Sequence, residues 1–428
     1  MIWFVIVLFA LLFAGNYLVA RSVLYPPAVF VGVWLASFLA LTLSGDLFYP
    51  VSAGALLVYL VGALAFSAGG IAAQIYKSSP ADIQPLSGRR QARLHFVLDL
   101  VLAFVVVGFP YYVTEISKGF DLLDPLYFTL RRQALVELHD SPVPTISLAS
   151  TLAAVSVFVA MAMHLENDGS LPRQVRAYLA IALALLYGVL TGTKGVIVTL
   201  ALSLIFITMI RSNRVNLIRM GVVVMLSIAV FGVALLFVNF TYEDPRPFND
   251  TVEFVWQTIR GYWLAGIVAF DSVFKDPTSV TSTQHLNRFF LKLANSLGGE
   301  IDIPSSLTEE ASVSPVMRGL NTYTIYFTYY KDHGWLGVVL GLAFLGWLLS
   351  LLFHAARKGS ALPMLFYGMT MTGLVLSVQA EHFWLDLAPY LRAFIFYYLI
   401  YSLLSRIEFR FWKIRWESSA LPKTRPRL

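Results

Sequence analysis

The densest set of side chains able to do chemistry lies in residues 318–337, with the sequence RGLNTYTIYFTYYKDHGWLG. Within it, Asp332 and His333 offer a carboxylate and an imidazole that could donate or accept a proton. Glu381 and His382 form a second acid–base pair further along the chain. For each pair the alternative is a structural role, so the pattern identifies candidates for acid–base chemistry without choosing between them.

The elements that must position these residues are membrane spans. Of the 428 residues 58% are hydrophobic and 13% are charged, against about 25% charged in soluble domains, so a water-soluble fold is excluded. Apolar runs long enough to cross a bilayer as helices recur throughout. We predict an all-α polytopic membrane protein, a single integral membrane domain over 1–428, with about 11 transmembrane helices near 2–20, 26–44, 51–73, 95–114, 146–164, 177–191, 195–210, 220–240, 335–353, 361–379 and 389–405.

Lysine and arginine counts in alternating loops predict the orientation of these spans. The short loops of one set are rich in arginine and poor in acid, and they share a face with the basic tail 406–428. That face is expected to be cytoplasmic, which puts the N-terminus and a large loop, 241–334 between spans 8 and 9, outside. The first run, 2–20, is interpreted as a retained span, because no convincing cleavage site follows it.

Composition also removes several kinds of chemistry. The chain contains no cysteine, so disulfides, thiolate nucleophiles and thiolate metal sites are excluded. Its net charge of +6 is spread over many short loops, which favours anionic lipid head groups over nucleic acid as the partner. Glu300 and Asp302 are two carboxylates in an acidic loop, a weak pattern for a divalent cation, and no metal site is predicted.

Cations on the outer face contradict the usual charge asymmetry. Lys194 and Arg392 each adjoin a span in a region with little loop, and Arg131 and Arg132 are adjacent in an outer loop. One interpretation is an outward-facing anionic ligand, which beside a membrane is most often a lipid phosphate. The alternatives are lysine snorkelling at a helix hairpin, pairing with acids, and simple translocation with a long loop.

The outer loop is expected to contain a helix over 251–274, in which Arg260 and Asp271 fall on nearby faces about three turns apart. An amphipathic helix lying on the membrane is the plainer interpretation. Tyr323, Tyr326 and Tyr330 recur at helical spacing, typical of an interfacial aromatic belt or of a surface on which sugar rings stack. Glycines precede and line the ninth span at positions 334, 337, 341 and 346, where they are expected to allow close helix packing.

Three segments resemble the Wzy O-antigen and oligosaccharide repeat-unit polymerases of bacterial inner membranes. Asn321-Thr-Tyr-Thr324 with Tyr330-Lys-Asp-His-Gly-Trp-Leu-Gly337 is similar to the family's Asn-x-Tyr-Thr and Tyr-x-Asp-Phe-Gly-x-x-Gly pattern. Residues Tyr262 to Asp271 resemble its tyrosine, small-residue and Phe-Asp segment. Gly192-Thr-Lys-Gly195 is similar to a Gly-Ser-Arg-Gly turn shared with O-antigen ligases. Lys194 replaces an arginine of that pattern and His333 a phenylalanine.

The resemblance implies transfer of a growing glycan from undecaprenyl diphosphate to the sugar hydroxyl of a lipid-linked repeat unit, at the periplasmic face. It implies no cofactor, metal or nucleotide sugar, and as partners the two lipid-linked glycans, membrane lipid, a chain-length regulator and a flippase. The diphosphate would be bound by Arg131, Arg132, Lys194, Arg260, Arg318 and Arg392. The acceptor hydroxyl would be positioned or deprotonated by His382, Glu381, Asp332 or His333. The glycan would be bound by Tyr262, Asp271, Asn321, Tyr323, Tyr326 and Tyr330.

Other functions stay open on sequence alone. An O-antigen ligase would perform the same chemistry with lipid A core as acceptor. A glycosyltransferase using a monosaccharide–polyprenyl phosphate donor usually has an acidic pair in the first outer loop, where this chain has only Asp46. A transporter or lipid flippase predicts ionisable residues at mid-membrane, where only Asp99 qualifies. A purely structural membrane partner is the remaining alternative.

Overall fold

The computed structural model describes residues 1–76, 88–117, 147–190, 194–212, 248–276, 286–301, 311–315, 322–385 and 387–403. Regular structure in these ranges is helical. The helices, numbered in chain order, are α1 (Ile2–Ala20), α2 (Pro26–Leu43), α3 (Ala53–Ala73), α4 (Gly88–Ile116), α5 (Leu148–Leu165), α6 (Leu171–Leu190), α7 (Lys194–Ser212), α8 (Phe248–Lys275), α9 (Arg288–Ser296), α10 (Ile325–Leu336), α11 (Leu342–Arg357), α12 (Ala361–Val375) and α13 (Leu387–Tyr398). Short 3₁₀ turns occupy Gly45–Leu47, Gln74–Tyr76 and Leu376–Val378, and π-helical turns occupy Gly337–Gly341 and Leu399–Leu403.

Nine helical segments of the described chain are long and apolar enough to cross a membrane, which makes this a multi-pass helical membrane protein. They are Ile2–Ala20, Pro26–Leu43, Ala53–Ala73, Arg90–Ile116, Leu148–Leu165, Leu171–Leu190, Gly195–Ser212, Ile325–Arg357 and Ala361–Val378. The predicted span 220–240 and the predicted tail 406–428 lie outside the described residues. The predicted span 389–405 corresponds to α13, whose α-helical part ends after 12 residues in a π-helical turn.

Arginines gather at one end of the helix bundle, which we call the basic end. It holds the turns between α1 and α2, α5 and α6, and α11 and α12. The hydroxyl of Tyr367 in α12 donates to the carbonyl oxygen of Leu24 in the first of these turns. Arg211 at the end of α7 donates to the carbonyl oxygens of Leu165 and Asn167 in the second, at 2.5 and 2.8 Å. The other end, where α2 leads into α3, is called the opposite end.

The centre of the bundle is built on α3, which runs parallel to α11 in direct backbone contact. A Cβ placed on Gly346 would lie 2.1 Å from the carbonyl oxygen of Phe66, and one on Gly69 would lie 1.9 Å from that of Ala343. The predicted packing role is therefore confirmed for Gly346. Such contacts let helices approach closely where no hydrophobic force drives association in lipid.

Candidate functional site

The chain reverses direction at Gly334, at the opposite end. Gly334 has φ 59° and ψ −145°, a conformation that essentially only glycine adopts. A Cβ there would meet nothing within 4 Å, so the predicted packing role is wrong for this glycine, whose function is the turn itself. Gly337 packs against His333 and Gly341 against Tyr329. Residues 325–333, the short arm, therefore run antiparallel to residues 335–357, the long arm.

The short arm lies inside the bundle. Tyr326 on the short arm and Val338 on the long arm both reach Gly62 of α3. Gly62 is nine residues into α3, about 14 Å along the helix at 1.5 Å per residue. The short arm therefore begins deep between the spans and rises to the turn at Gly334.

Three segments meet beside the start of the short arm, at a place that we call the junction. A Cβ on Gly266 of α8 would lie 2.7 Å from the carbonyl oxygen of Val378 and 3.3 Å from the backbone nitrogen of Thr324. Val378 ends the 3₁₀ turn after α12, and Thr324 is the N-cap residue of α10. Because only a hydrogen fits between these backbones, Gly266 determines how closely α8 approaches the other two segments.

Two further hydrogen bonds hold α8 against the spans. The indole nitrogen of Trp263 donates to Ser37 Oγ in α2 at 3.0 Å, and the hydroxyl of Tyr59 in α3 donates to the carbonyl oxygen of Ile267 at 2.9 Å. Residues 264–271 are all buried. The interpretation of this helix as one lying on the membrane surface is therefore wrong for its C-terminal half, which is inserted between α2, α3 and the short arm.

Asp271, predicted to bind glycan, is 2% exposed. Its Oδ1 accepts a hydrogen bond from the backbone N–H of Ser52 at 3.0 Å and another from the Ser52 hydroxyl, while Oδ2 pairs with Lys275 Nζ at 2.6 Å. Ser52 is the N-cap residue of α3. Asp271 therefore fastens the end of α8 to the start of α3, and its oxygens are occupied by that contact.

The predicted glycan-binding tyrosines fall into two groups. Tyr326 is fully buried and donates its hydroxyl to the carbonyl oxygen of Tyr59, and Tyr323 is 6% exposed and packs against the Phe327 ring. Tyr330 and Tyr262 are partly exposed. Only the second pair has surface with which a sugar ring could stack; Asn321 lies outside the described residues.

Arg260 is the best-defined of the predicted diphosphate ligands. Its guanidinium carbon lies 5.4 Å from the centre of the Trp256 ring, and its side chain is partly buried. Its Nε is buried and has no hydrogen-bond partner within the described chain. A buried donor without a partner is costly, and an anion seated beside it would satisfy it. Arg260 lies six residues before Gly266 on the same helix, about 9 Å along its axis.

The structure says less about the surroundings of the other predicted diphosphate-binding cations. Arg392 is exposed on α13, between the apolar side chains Leu391 and Phe394, which are also exposed. Lys194 is the first residue of α7, at the opposite end, and its side chain lies outside the described part. Arg131, Arg132 and Arg318 lie outside the described residues altogether.

Glu381 organises the turn between α12 and α13. It is 2% exposed, and its two oxygens accept from the backbone N–H groups of Phe383, Trp384 and Leu385 at 2.9, 2.8 and 2.9 Å. A carboxylate whose oxygens are saturated by backbone donors has little left for a substrate. Of the roles considered for this residue, the geometry favours positioning the neighbouring residues.

Titration of Glu381 should be visible in the stability of the protein. Burial raises its pKa from 4.5 to about 7, although the three N–H donors act in the opposite direction. A raised carboxyl pKa stabilises the folded chain fully below the unfolded pKa, and this contribution is lost as pH rises through the folded pKa. We expect the free energy of unfolding of wild type, relative to Glu381→Gln, to fall by about 3 kcal/mol between roughly pH 4.5 and 8. Thermal unfolding of the two purified proteins across this range measures it; a constant difference would contradict the assignment.

The remaining acid–base candidates occupy two places. His382 is partly buried, and its Cβ packs against Gly373 of α12. It follows Val378, one of the junction residues, by four positions. Asp332 and His333 lie at the turn of the helical hairpin, where Asp332 Oδ2 accepts from the backbone N–H of Leu286 at 2.8 Å and His333 is exposed. Of these three residues, His382 is the nearest to the junction along the chain, and it is the candidate base that remains beside the turn organised by Glu381.

Comparison of this chain with protein-family models, with curated proteins and with solved structures finds no match. Within the described residues no group of three or more histidine, cysteine, aspartate or glutamate side chains is arranged to hold a metal ion. Glu300 is exposed, and Asp302 lies outside the described part.

Sequence reasoning missed the residues that build the junction. Thr324 is fully buried there, and Gly266 sets the approach of α8. Both belong to segments that were singled out as motifs, and the signal for each was available. Gly266 is a glycine inside a predicted helix, where this residue is unfavourable unless close packing requires it. Thr324 stands directly before a helix, where threonine is a common N-cap.

Proposed function

We propose that this protein polymerises oligosaccharide repeat units linked to undecaprenyl diphosphate, at the periplasmic face of a bacterial inner membrane. The observation that carries the proposal is Arg260, a partly buried arginine whose Nε has no hydrogen-bond partner within the described chain. It lies on α8, which meets both Thr324 of the sequence motif and Val378 after α12 at the junction. An arginine with a buried donor and no partner for it is suited to a diphosphate, which it can contact through two donors at once.

In the proposed reaction the hydroxyl oxygen of the incoming sugar forms a bond to the anomeric carbon of the growing glycan. The bond between that carbon and the diphosphate oxygen breaks, and its electron pair leaves with undecaprenyl diphosphate. The hydroxyl proton passes to a base, for which His382 is the proposed residue. The leaving group needs no proton, so stabilisation of its growing negative charge is the main requirement on the protein.

The proposed roles fall to separate groups of residues. Arg260 is proposed to bind the diphosphate, together with Lys194, Arg318, Arg392 and the pair Arg131 and Arg132. Tyr262 on α8 and Tyr330 on the short arm are proposed to contact sugar rings, because both are partly exposed. Glu381 and Asp271 are proposed as positioning residues, since backbone and side-chain donors occupy their oxygens.

The proposed orientation places the basic end in the cytoplasm. Arg21, Arg173, Arg176, Arg211 and Arg357 lie at that end, whereas the hairpin turn at Gly334 lies at the other. This is the distribution that the positive-inside rule describes. A flippase and a chain-length regulator are the protein partners proposed for the pathway, with lipid-linked donor and acceptor glycans as substrates.

The transporter alternative has less support. It needs an ionisable group free to act within a span, and Asp99 was the candidate. Asp99 Oδ2 pairs with Arg176 Nη1 at 2.5 Å, in the part of α6 near the basic end. The pair gives Asp99 a structural partner, so this residue does not support the transport alternative.

Binding of the leaving lipid tests the proposal. We expect purified protein to bind undecaprenyl diphosphate equally well with and without EDTA, and Arg260→Ala to weaken binding roughly ten- to a hundredfold, as expected for loss of a charged hydrogen bond. Native mass spectrometry at graded lipid concentrations measures both effects. Strict dependence on a divalent cation would contradict the metal-independent mechanism and return Glu300 and Asp302 to consideration.

A further inference from the structure

The short helix α9 is amphipathic in the reverse sense to a surface helix of a soluble protein. At 100° per residue, Phe290, Leu293 and Leu297 fall on one face and Arg288, Lys292 and Asn295 on the other. The apolar side chains are 50%, 45% and 82% exposed, whereas Arg288 is only 7% exposed. The helix therefore packs through its polar face and presents its apolar face outwards.

The end of α9 is held in a defined shape. Gly298, at φ 97°, turns the chain, and the backbone N–H of Gly299 donates to the carbonyl oxygen of Ala294 at 3.0 Å. The side-chain amide of Asn295 then exchanges two hydrogen bonds of 2.8 Å with the backbone of Ile301. This clamp folds the chain back after the helix, so the exposed apolar face belongs to a well-defined element.

The attachment of α9 places it at the membrane boundary. The backbone N–H of Leu286, two residues before the helix, donates to Asp332 at the hairpin turn. Beyond that turn the side chains on the outside of the long arm become apolar: Trp335 is 39% exposed, Leu336 70% and Leu340 65%. The change from Asp332 and His333 to these residues marks the level at which the lipid begins, and tryptophan is enriched at that level.

We propose that α9 is an in-plane interfacial helix whose Phe290, Leu293 and Leu297 insert into the lipid leaflet at the opposite end. We assign lipid as the cover of this apolar face, because the face starts at the level where the lipid-facing surface of the long arm starts. Interfacial helices of this kind bury their apolar side at the boundary between head groups and acyl chains. The inference concerns a lipid-contact surface beside the site and holds whichever reaction the protein catalyses.

The absence of cysteine from the chain allows a direct test. Single cysteines replace Phe290, Leu293 and Leu297 in turn, with Leu336→Cys as the lipid-facing reference and Ser360→Cys, at an exposed turn of the basic end, as the water-facing reference. Each variant is spin-labelled in proteoliposomes of neutral and anionic phospholipid. Collision rates with oxygen, which partitions into lipid, and with a water-soluble nickel chelate are then measured by power saturation.

We expect labels at 290, 293 and 297 to give oxygen-to-nickel ratios near that of Leu336 and well above that of Ser360. Ratios equal to that of Ser360 would place the face in water and overturn the proposal. Labels protected from both reagents would mean that protein covers the face, which would overturn it as well. Monodisperse gel filtration of each labelled variant establishes that the comparison is between folded proteins.

Discussion

Arg260→Ala should abolish long glycan chains in cells that depend on this protein, while single repeat units are still transferred to their final acceptor. The side chain is proposed to stabilise the charge that develops on the departing diphosphate, and removal of one such donor typically lowers a turnover number by about a hundred- to a thousandfold. Within the described residues its guanidinium lies over the exposed Trp256 ring at 5.4 Å and is in no ion pair, so the loss of activity should exceed any loss of protein. Glycan length on gels and protein level by immunoblot are the measurements.

Arg173→Ala is the matched control. Arg173 lies at the basic end and pairs with Asp168 at 2.6 Å on the surface, where solvent screening makes an ion pair contribute little. Its removal should leave glycan length unchanged. Lys194→Ala and Arg318→Ala are expected to behave like Arg260→Ala, and full-length polymer from all three variants would contradict the charge-stabilisation mechanism.

Gly266→Val should disable the protein by separating the segments that meet at the junction. The first added carbon would lie 2.7 Å from the carbonyl oxygen of Val378 and 3.3 Å from the Thr324 backbone, and neither contact is the flexible end of a side chain. Overpacking of this kind costs up to about 3 kcal/mol, occasionally more. We expect a lower thermal midpoint in detergent and loss of polymer, because α8 must move away with Arg260.

Gly15→Val provides the comparison for this variant. Gly15 lies in α1, another membrane-spanning helix, and a Cβ there would meet nothing within 4 Å. The same chemical change should therefore have little effect on stability or polymer length. Equal behaviour of the two valine variants would show that close approach at Gly266 is unimportant.

The spans were predictable because the length of an apolar run and the thickness of a bilayer suffice to define them. The predicted span 2–20 has the bounds of α1, Ile2–Ala20. The predicted start of the ninth span at 335 coincides with the residue after the turn at Gly334. What hydropathy could not reveal is the short arm, because residues 325–333 are aromatic and partly polar, and the burial of 325–329 comes from tertiary contacts.

The candidate site was less predictable, since a pattern gives the type and spacing of residues but not their depth. Tyr326 and Tyr330 are equivalent in a helical repeat, yet Tyr326 is buried against Tyr59 and Tyr330 is partly exposed. Asp271 carries a charge that could face a ligand, but Ser52, which is more than 200 residues away in sequence, takes its oxygen. Arg260 could be selected from sequence only as one of several outer cations.

The most direct test of the central claim is reconstitution of the purified protein in lipid with repeat units linked to undecaprenyl diphosphate and no nucleotide sugar. Products are resolved on a gel with single-repeat resolution, with and without lipid A core. We predict a ladder spaced by one repeat unit, formed without lipid A core and absent with Arg260→Ala. Transfer to lipid A core without a ladder would indicate a ligase instead, and inertness towards both acceptors would contradict glycan transfer by this protein.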